Sequence, residues 1–330
     1  MTPNRWTLAQ DTDALTLPDG PVLVLRARAD ASFETLGQVQ AIQGFYPDHA
    51  QLAARGVDVR LTPEGPFAVA LVQIVKSKVE TLALLAEAVA QLPPGGLILV
   101  DGQKQEGIAS VLKTVKALFK IDDVMSKSHG KLFWFTRPET LPDGFSDWYA
   151  VPTRLPEGFV TAPGAFSADA IDIGSELLAT MMPPLKGRVA DLGAGWGYLA
   201  AAALKHEAVT QVDLIEAEHA ALEAARINIT DPRAQFIWDD ATRFKTETRY
   251  DFVISNPPFH TGTKAEPALG VAFIEAAARL LKPSGQFVMV ANRHLPYEAA
   301  LKSVFGTGQM LAETHGYKLY QAAKPKRAKA

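Results

Sequence analysis

No cysteine occurs among the 330 residues, which removes disulfides, thiolate metal sites and cysteine nucleophiles from consideration. That absence fits a reducing compartment. Long apolar runs are missing as well. The longest, such as FAVALVQIV at 67–75, fall well short of the roughly 20 residues that a membrane-crossing helix needs. Charge of one sign is not in excess: 33 basic residues face 36 acidic ones, for a net charge of −3. Nothing global therefore marks a nucleic-acid or membrane binder, although a local basic patch remains open. The start, MTPNRWTLAQ, lacks the charged-then-apolar order of a signal peptide. A cytoplasmic location is expected. The 7 histidines show no metal-ligand spacing, and no metal is predicted.

What is present is a chain long enough for two cores. From Arg137 to Gly164 the sequence turns proline-rich, with Pro138, Pro142, Pro152, Pro156 and Pro163 among glycines and polar residues. This reads as a linker plus an extended lead-in, dividing domains 1–148 and 149–330. The second half alternates short apolar strands (Arg188–Leu192, Thr210–Glu216, Ala234–Trp238, Asp251–Ser255, Gln286–Ala291) with helical patterns (Tyr198–Lys205, Ala217–Ile229, Val271–Leu281). Such alternation predicts a mostly parallel α/β sheet with helices on both faces. At the end, Met310–Thr314 and Tyr317–Ala322 flank His315-Gly316, as in an antiparallel hairpin. The first half carries a fainter copy: Phe67–Val75, helical Val79–Leu92, then PPGGLILVDG. The expectation is a tandem Rossmann-like duplication. Its first copy has no glycine loop after PVLVLRARAD, and has KSK roughly where the second copy has NPP.

RVADLGAGWGYLAAA, residues 188–202, is a strand, a turn holding Gly193, Gly195 and Gly197, and a helix start. Glycine allows a tight turn and close approach of a ligand to the backbone. A dinucleotide loop would read G-x-G-x-x-G. Here the spacing is G-x-G-x-G after Asp191, an acid that disfavours a pyrophosphate and suits a cationic ligand. Glu216 ends the next strand and can take both ribose hydroxyls. Asp240, followed by Ala241, offers an acid to an adenine amino group at the third strand. A cationic centre, a ribose and an adenine together describe S-adenosylmethionine.

The fourth strand runs into Asn256-Pro257-Pro258-Phe259. Two prolines cannot continue a helix or a ladder, so the strand ends in a stiff turn. If Asn256 Oδ1 and the Pro257 carbonyl each accept one N–H of a planar amine, the nitrogen is held facing the methyl group. Alignment then supplies much of the rate. Pro258 fixes the turn, and Phe259 offers a face on which a base can stack. His260 beside it is read as shaping the pocket.

In this order DLGAGWG, LIEAE, WDDA and NPPFH resemble class I S-adenosylmethionine-dependent methyltransferases of the NPPF/Y type. PGAFSADAIDIGSELL, NPPFHTG, VANRHLPYE, VKSKVE, LILVDGQKQEGIAS and SKSHGKLF narrow this to a resemblance to RsmC-like ribosomal RNA guanine-N2 methyltransferases, over nearly the whole chain. The resemblance implies methyl transfer to the N2 amine of one guanosine in small-subunit ribosomal RNA. It also implies that the first domain has lost cofactor binding and serves recognition or stability. Phe166, Asp172, Gly174 and Ser175 would line the cofactor or target-base pocket. Lys113, Lys116 and Lys120 recur at helical spacing and are candidate phosphate contacts. The C-terminal KPKRAK adds four charges. A large-subunit guanosine, an adenine N6 amine and a protein glutamine stay open as substrates, because each is a planar NH₂. A non-catalytic RNA-binding assembly factor is the alternative of another class. A monomer acting on ribosomal RNA or the small subunit is expected.

Overall fold

The structure, a computed structural model, describes residues 4–258 and 267–326. Phe259 and His260 lie outside the described residues. The chain divides into two compact units, Met1–Val151 and Pro152–Ala330.

The first unit runs α1 (Arg5–Asp11), β1 (Val22–Leu25), β2 (Val39–Ile42), α2 (Tyr46–Ala54), β3 (Asp58–Arg60), β4 (Val69–Gln73), α3 (Lys78–Gln91), β5 (Leu97–Gln103), α4 (Ile108–Leu118), β6 (Asp123–Lys127) and β7 (Gly130–Thr136). Its strands form one sheet in the order β3-β2-β1-β4-β5-β7-β6. All residues of β1 and β4 are buried, as near-continuous apolar strands must be when helices cover both faces. Successive residues serve opposite cores: Leu23 and Leu25 enter one cluster, Val22 and Val24 the other. Ser77 starts α3 by accepting the Glu80 N–H at 3.2 Å.

The proline-rich stretch departs from its reading as a linker. Phe145 and Trp148 are buried and pack on Phe119 at centroid distances of 5.7 and 5.6 Å. Aromatic burial outweighs the proline signal there.

One buried ion pair carries a measurable prediction. Arg5 Nε and Nη2 donate to the two Asp101 carboxylate oxygens at 2.6 and 2.9 Å, and both side chains are almost fully buried. Burial pushes the Asp101 carboxyl up while Arg5 opposes the shift. Arg5→Ala is expected to destabilise this unit by about 3–5 kcal/mol, because it strands a buried carboxylate. Urea unfolding measures the loss. Adding Asp101→Ala should recover part of it.

The second unit opens with a small hairpin, β8 (Thr153–Arg154) and β9 (Val160–Thr161). It continues with α5 (Ile173–Met181), β10 (Gly187–Leu192), α6 (Tyr198–Ala203), β11 (Val209–Glu216), α7 (His219–Asn228), β12 (Ala234–Trp238), β13 (Tyr250–Ser255), α8 (Pro267–Leu280), β14 (Leu281–Asn292), α9 (Glu298–Val304), β15 (Phe305–Thr314) and β16 (Tyr317–Pro325). The sheet order is β12-β11-β10-β13-β14-β16-β15, strand for strand the permutation of the first unit. The expected duplication is thus present in topology. Both sheets are parallel except for the final hairpin. His315 and Gly316 take φ of 50° and 82°, the two positive values of a type I′ turn. The second hairpin strand, β16, inserts beside β14 and leaves β15 at the edge.

From β10 the chain winds outward to β11 and β12, then returns on the other side with β13 and β14. This reversal opens a crevice at the C-terminal ends of β10 and β13. The glycine loop follows β10 and the Asn-Pro-Pro turn follows β13, so the topology brings the two motifs together.

The first unit treats the same edge differently. Arg28 N–H donates to Gln73 Oε1 at 2.8 Å, and its guanidinium donates to the Ile74 carbonyl at 3.1 Å and to Glu106 at 2.8 Å. Gln43 donates to the Ala27 carbonyl at 2.8 Å and accepts from Arg26 at 3.2 Å. Side chains of the unit itself fill the edge. Only residues 74–77 join β4 to α3, against 256–266 between β13 and α8.

Candidate active site

Asp191, next to last in β10, is fully buried, and neither of its carboxylate oxygens has a hydrogen-bond partner. Burial, reinforced by the nearby Glu216 charge, pushes its carboxyl up to about 8. An unpartnered buried carboxylate is a standing free-energy cost that a cationic ligand would offset. Glu216, at the end of β11, is held differently. Its Oε2 accepts the Gly195 N–H at 2.7 Å and its Oε1 the Glu218 N–H at 2.8 Å. Burial raises this carboxyl too, and those backbone donors oppose the shift. Each oxygen keeps a lone pair for a hydroxyl donor.

The loop between these acids is shaped by glycine at two positions above all. Gly195 has φ of 55°, and a Cβ built there meets nothing within 4 Å, so the backbone is open to a ligand. Gly197 has φ of 90°, and a Cβ there would lie 2.9 Å from Ile229 Cδ1 and 3.2 Å from Ala225 Cβ. Gly197→Ala is therefore expected to destabilise the second unit by about 1–3 kcal/mol through combined backbone strain and overpacking. Thermal unfolding with and without cofactor reads the change.

At the end of β12, Asp240 Oδ1 accepts from Thr242 N–H at 2.9 Å and from Thr242 Oγ1 at 2.6 Å. The Asp239 N–H donates to the Glu216 carbonyl at 3.1 Å, which ties this turn to β11. The Ala241 side chain is buried in the core cluster that includes Phe273. The three acids thus stand in order along one edge. An unpartnered buried carboxylate, an open glycine and a fixed second carboxylate fit a cationic nucleoside ligand such as S-adenosylmethionine.

The Asn-Pro-Pro turn closes the other side. Asn256 Nδ2 donates to Asp172 Oδ2 and to Ser175 Oγ, both at 2.8 Å. Its Oδ1 is buried with no partner. A carboxylate only accepts, so the atom facing Asp172 must be the amide nitrogen, and the oxygen is turned away. Asp172 also caps α5 by accepting the Ser175 N–H at 2.8 Å. At Gly174 a Cβ would lie 2.8 Å from the Tyr317 ring, so only glycine lets α5 sit this close to β16. Burial and the Asp172 charge push the Tyr317 phenol up. Beneath the turn, Ser255 Oγ donates to the Leu192 carbonyl at 2.7 Å, joining the ends of β13 and β10. Pro257 is buried and Pro258 exposed.

The predicted pocket residues are distributed in a specific way. Asp172 and Ser175 touch Asn256 directly. Phe166 is 63% exposed, and its carbonyl accepts from Trp196 Nε1 at 3.1 Å. Lys113 and Lys116 are exposed on the side of α4 opposite the buried Ile108, Val111 and Val115, whereas Lys120, also exposed, lies past the helix end at Leu118, so the expected helical spacing holds for two of the three lysines. Sequence reasoning missed Asn228. Its Nδ2 donates to the carbonyls of Val160 and Trp196, both at 2.8 Å, and its Oδ1 accepts the Val160 N–H at 2.7 Å. It thereby clasps the β8–β9 hairpin to the glycine loop. The available signal was the aromatic set Phe159, Trp196 and Tyr198, whose rings lie 5.2–5.7 Å apart. Among the described residues no group of three His, Cys, Asp or Glu could hold a metal ion, and no helix is long and apolar enough to cross a membrane.

Comparison with known proteins places this geometry. The methyltransferase small domain matches residues 157–321, and its N-terminal companion domain matches residues 15–150. Ribosomal RNA small subunit methyltransferase C of Shewanella oneidensis is 30% identical over 323 residues, covering 92% of this chain and 94% of its own. The Klebsiella pneumoniae protein of the same name is 33% identical over 262 residues, covering 77% of this chain and 75% of its own. Among solved structures, the T. thermophilus 16S rRNA N2 methyltransferase RsmC, in complex with AdoMet and guanosine, matches with a TM-score of 0.78. It is 24% identical and covers 94% of this chain and 90% of its own. With both domains matched in tandem and relatives of this identity aligned along most of its length, the chain belongs to the ribosomal RNA small subunit methyltransferase C family, a class I methyltransferase fold in duplicate.

Proposed function

We propose that this chain transfers a methyl group from S-adenosylmethionine to the exocyclic N2 amine of a guanosine in small-subunit ribosomal RNA. The observation that carries the reading is the Asn256 amide: its nitrogen is tied back by two bonds and its buried oxygen is left free. A free acceptor at that position suits an NH₂ group and does nothing for a nucleophile that has no hydrogen to donate. The family's relatives carry the substrate class in their names.

S-adenosylmethionine, when bound, supplies a methyl group already activated on a cationic sulfonium. Asp191 faces that positive charge, Gly195 admits the ligand to the backbone, Glu216 takes the ribose hydroxyls, and Asp240 with Ala241 flanks the adenine. Asn256 Oδ1 and the Pro257 carbonyl accept the two amine hydrogens, which turns the nitrogen lone pair toward the methyl carbon. The C–N bond forms as the S–C bond breaks, with its electron pair left on sulfur. The nitrogen then releases one proton to water. No strong base is required before attack. A base inside folded RNA has to be flipped out to reach this turn.

The first unit, in this reading, holds RNA and no cofactor. Arg28, Gln43 and Gln73 fill its sheet edge, and Lys113, Lys116 and Lys120 are placed to follow phosphates. The enzyme works where ribosomal subunits are assembled, in the cytoplasm.

The test is incubation with methyl-labelled cofactor and undermethylated 30S subunits or their free RNA, followed by nucleoside analysis. N2-methylguanosine is expected. No label in RNA, under conditions where the cofactor binds, ends this reading. Label in N6-methyladenosine or in protein glutamine would reassign the substrate.

A further inference from the structure

We propose that Asp172 and Ser175 are the positioning residues of methyl transfer. They hold the Asn256 amide in the one orientation that presents an acceptor to the substrate amine. The inference rests on the function proposed above and concerns how that site is built.

An asparagine amide has two faces of opposite character: an oxygen that accepts and a nitrogen that donates. A half-turn about its last side-chain bond exchanges them. With the nitrogen forward, Asn256 would meet an NH₂ group donor to donor and repel it. The protein sets the choice from behind. Asp172 Oδ2 can only accept, and at 2.8 Å from Nδ2 it rejects the flipped amide. Ser175 Oγ, also at 2.8 Å, takes the second nitrogen hydrogen. Both Nδ2 hydrogens are consumed, so the whole acceptor capacity of Oδ1 stays free, buried and without a protein partner.

The same pair of residues is rigid for an independent reason. Asp172 Oδ2 accepts the Ser175 N–H at 2.8 Å as the cap of α5, so a helix start doubles as the brace. Gly174, between them, is pinned against the Tyr317 ring. The charge matters as well as the geometry. As the C–N bond forms, the amine nitrogen becomes positive. The Asp172 carboxylate lies one hydrogen-bonded amide away and stabilises that charge through the aligned Asn256 dipole.

The experiment is a reciprocal exchange across the Asp172–Asn256 bond. Asp172→Asn keeps a good helix cap but no longer rejects the flipped amide, and kcat should fall at least thirtyfold with the KM for RNA within threefold. Asn256→Asp sets two carboxylates against each other and should fall further at neutral pH. The double variant Asp172→Asn/Asn256→Asp restores a donor behind and an acceptor in front, and should recover at least tenfold over the worse single variant. A role confined to capping α5 would give no such recovery. Ser175→Ala should lower kcat about tenfold with cofactor affinity unchanged.

A second readout needs no substrate. In the full chain, the Asn256 side-chain amide hydrogens, assigned by their loss in Asn256→Asp, should exchange with solvent at least tenfold more slowly than those of an exposed asparagine. Ser175→Ala and Asp172→Asn should each abolish that protection. Wild-type kcat in both single variants, no recovery in the exchange variant, or an unprotected amide in the wild type overturns the proposal. A wild-type enzyme that labels no RNA instead ends the functional reading, and the amide measurement still decides the brace.

Discussion

Asn256→Ala is expected to lower methyl transfer by about a hundredfold to a thousandfold, while S-adenosylmethionine affinity stays within a few-fold. The magnitude follows from what the side chain does. Removing one preorganised polar group from the place where charge develops typically costs that factor in kcat. The loss of alignment acts in the same direction. Cofactor affinity is spared because every group assigned to the cofactor lies elsewhere: Asp191 is in β10 with the glycine loop after it, Glu216 ends β11, and Asp240 follows β12. The substitution leaves Asp172 and Ser175 each one donor short. Asp172 is half-buried and keeps the Ser175 N–H as a donor, so the fold should tolerate it. Single-turnover transfer to undermethylated subunits gives the rate, and calorimetry gives the cofactor affinity. A variant that also loses the cofactor would show that Asn256 belongs to the cofactor site, and the assignment of its oxygen to the amine would fail.

Much of this was written in the sequence, for identifiable reasons. The strands of the second unit are short apolar runs between helical periods, and β12 falls where the pattern places it, at Ala234–Trp238. Parallel strands buried on both faces leave little room for ambiguity. The glycine loop and the Asn-Pro-Pro turn were legible because each breaks a regular element in a way that only a few residue types allow. What stayed hidden depends on contacts between distant segments. Asn228 is the last residue of α7, and nothing in the helical pattern reveals that it holds Val160, 68 residues away. Asp172 and Ser175 entered as pocket residues through a resemblance, but their grip on Asn256, 84 and 81 positions on, is a product of the fold. Phe145 and Trp148 were masked by the prolines around them. The duplication was legible only in part, since sequence similarity has faded where the sheet order has not.

Asp191 gives the second large effect, and its sign depends on pH. In the unfolded chain its carboxyl titrates near the ordinary value of 3.8; in the folded protein burial raises it to about 8. Between those limits the folded state holds a proton that the unfolded state has released. Stability without ligand should therefore fall as pH rises from about 4 to about 8, and level off above. Glu216 shares the neighbourhood and burial raises it too, but it accepts two backbone N–H bonds at 2.7 and 2.8 Å, whereas Asp191 has only minor support from the Ala200 N–H, so Asp191 is the favoured holder of the proton. A cationic ligand reverses the preference. Binding S-adenosylmethionine favours the carboxylate and expels the proton, so below pH about 8 affinity should rise with pH, by up to tenfold per unit, and then level. Asp191→Asn keeps the shape and removes the titration. The pH dependence of its stability should weaken, its cofactor affinity should fall at least a hundredfold, and the pH slope of binding should shrink. Calorimetry in buffers of different ionisation enthalpy counts the released protons directly. If wild-type affinity is flat between pH 5.5 and 8, or no proton leaves on binding, Asp191 is already ionised in the free protein, and another group must offset its burial.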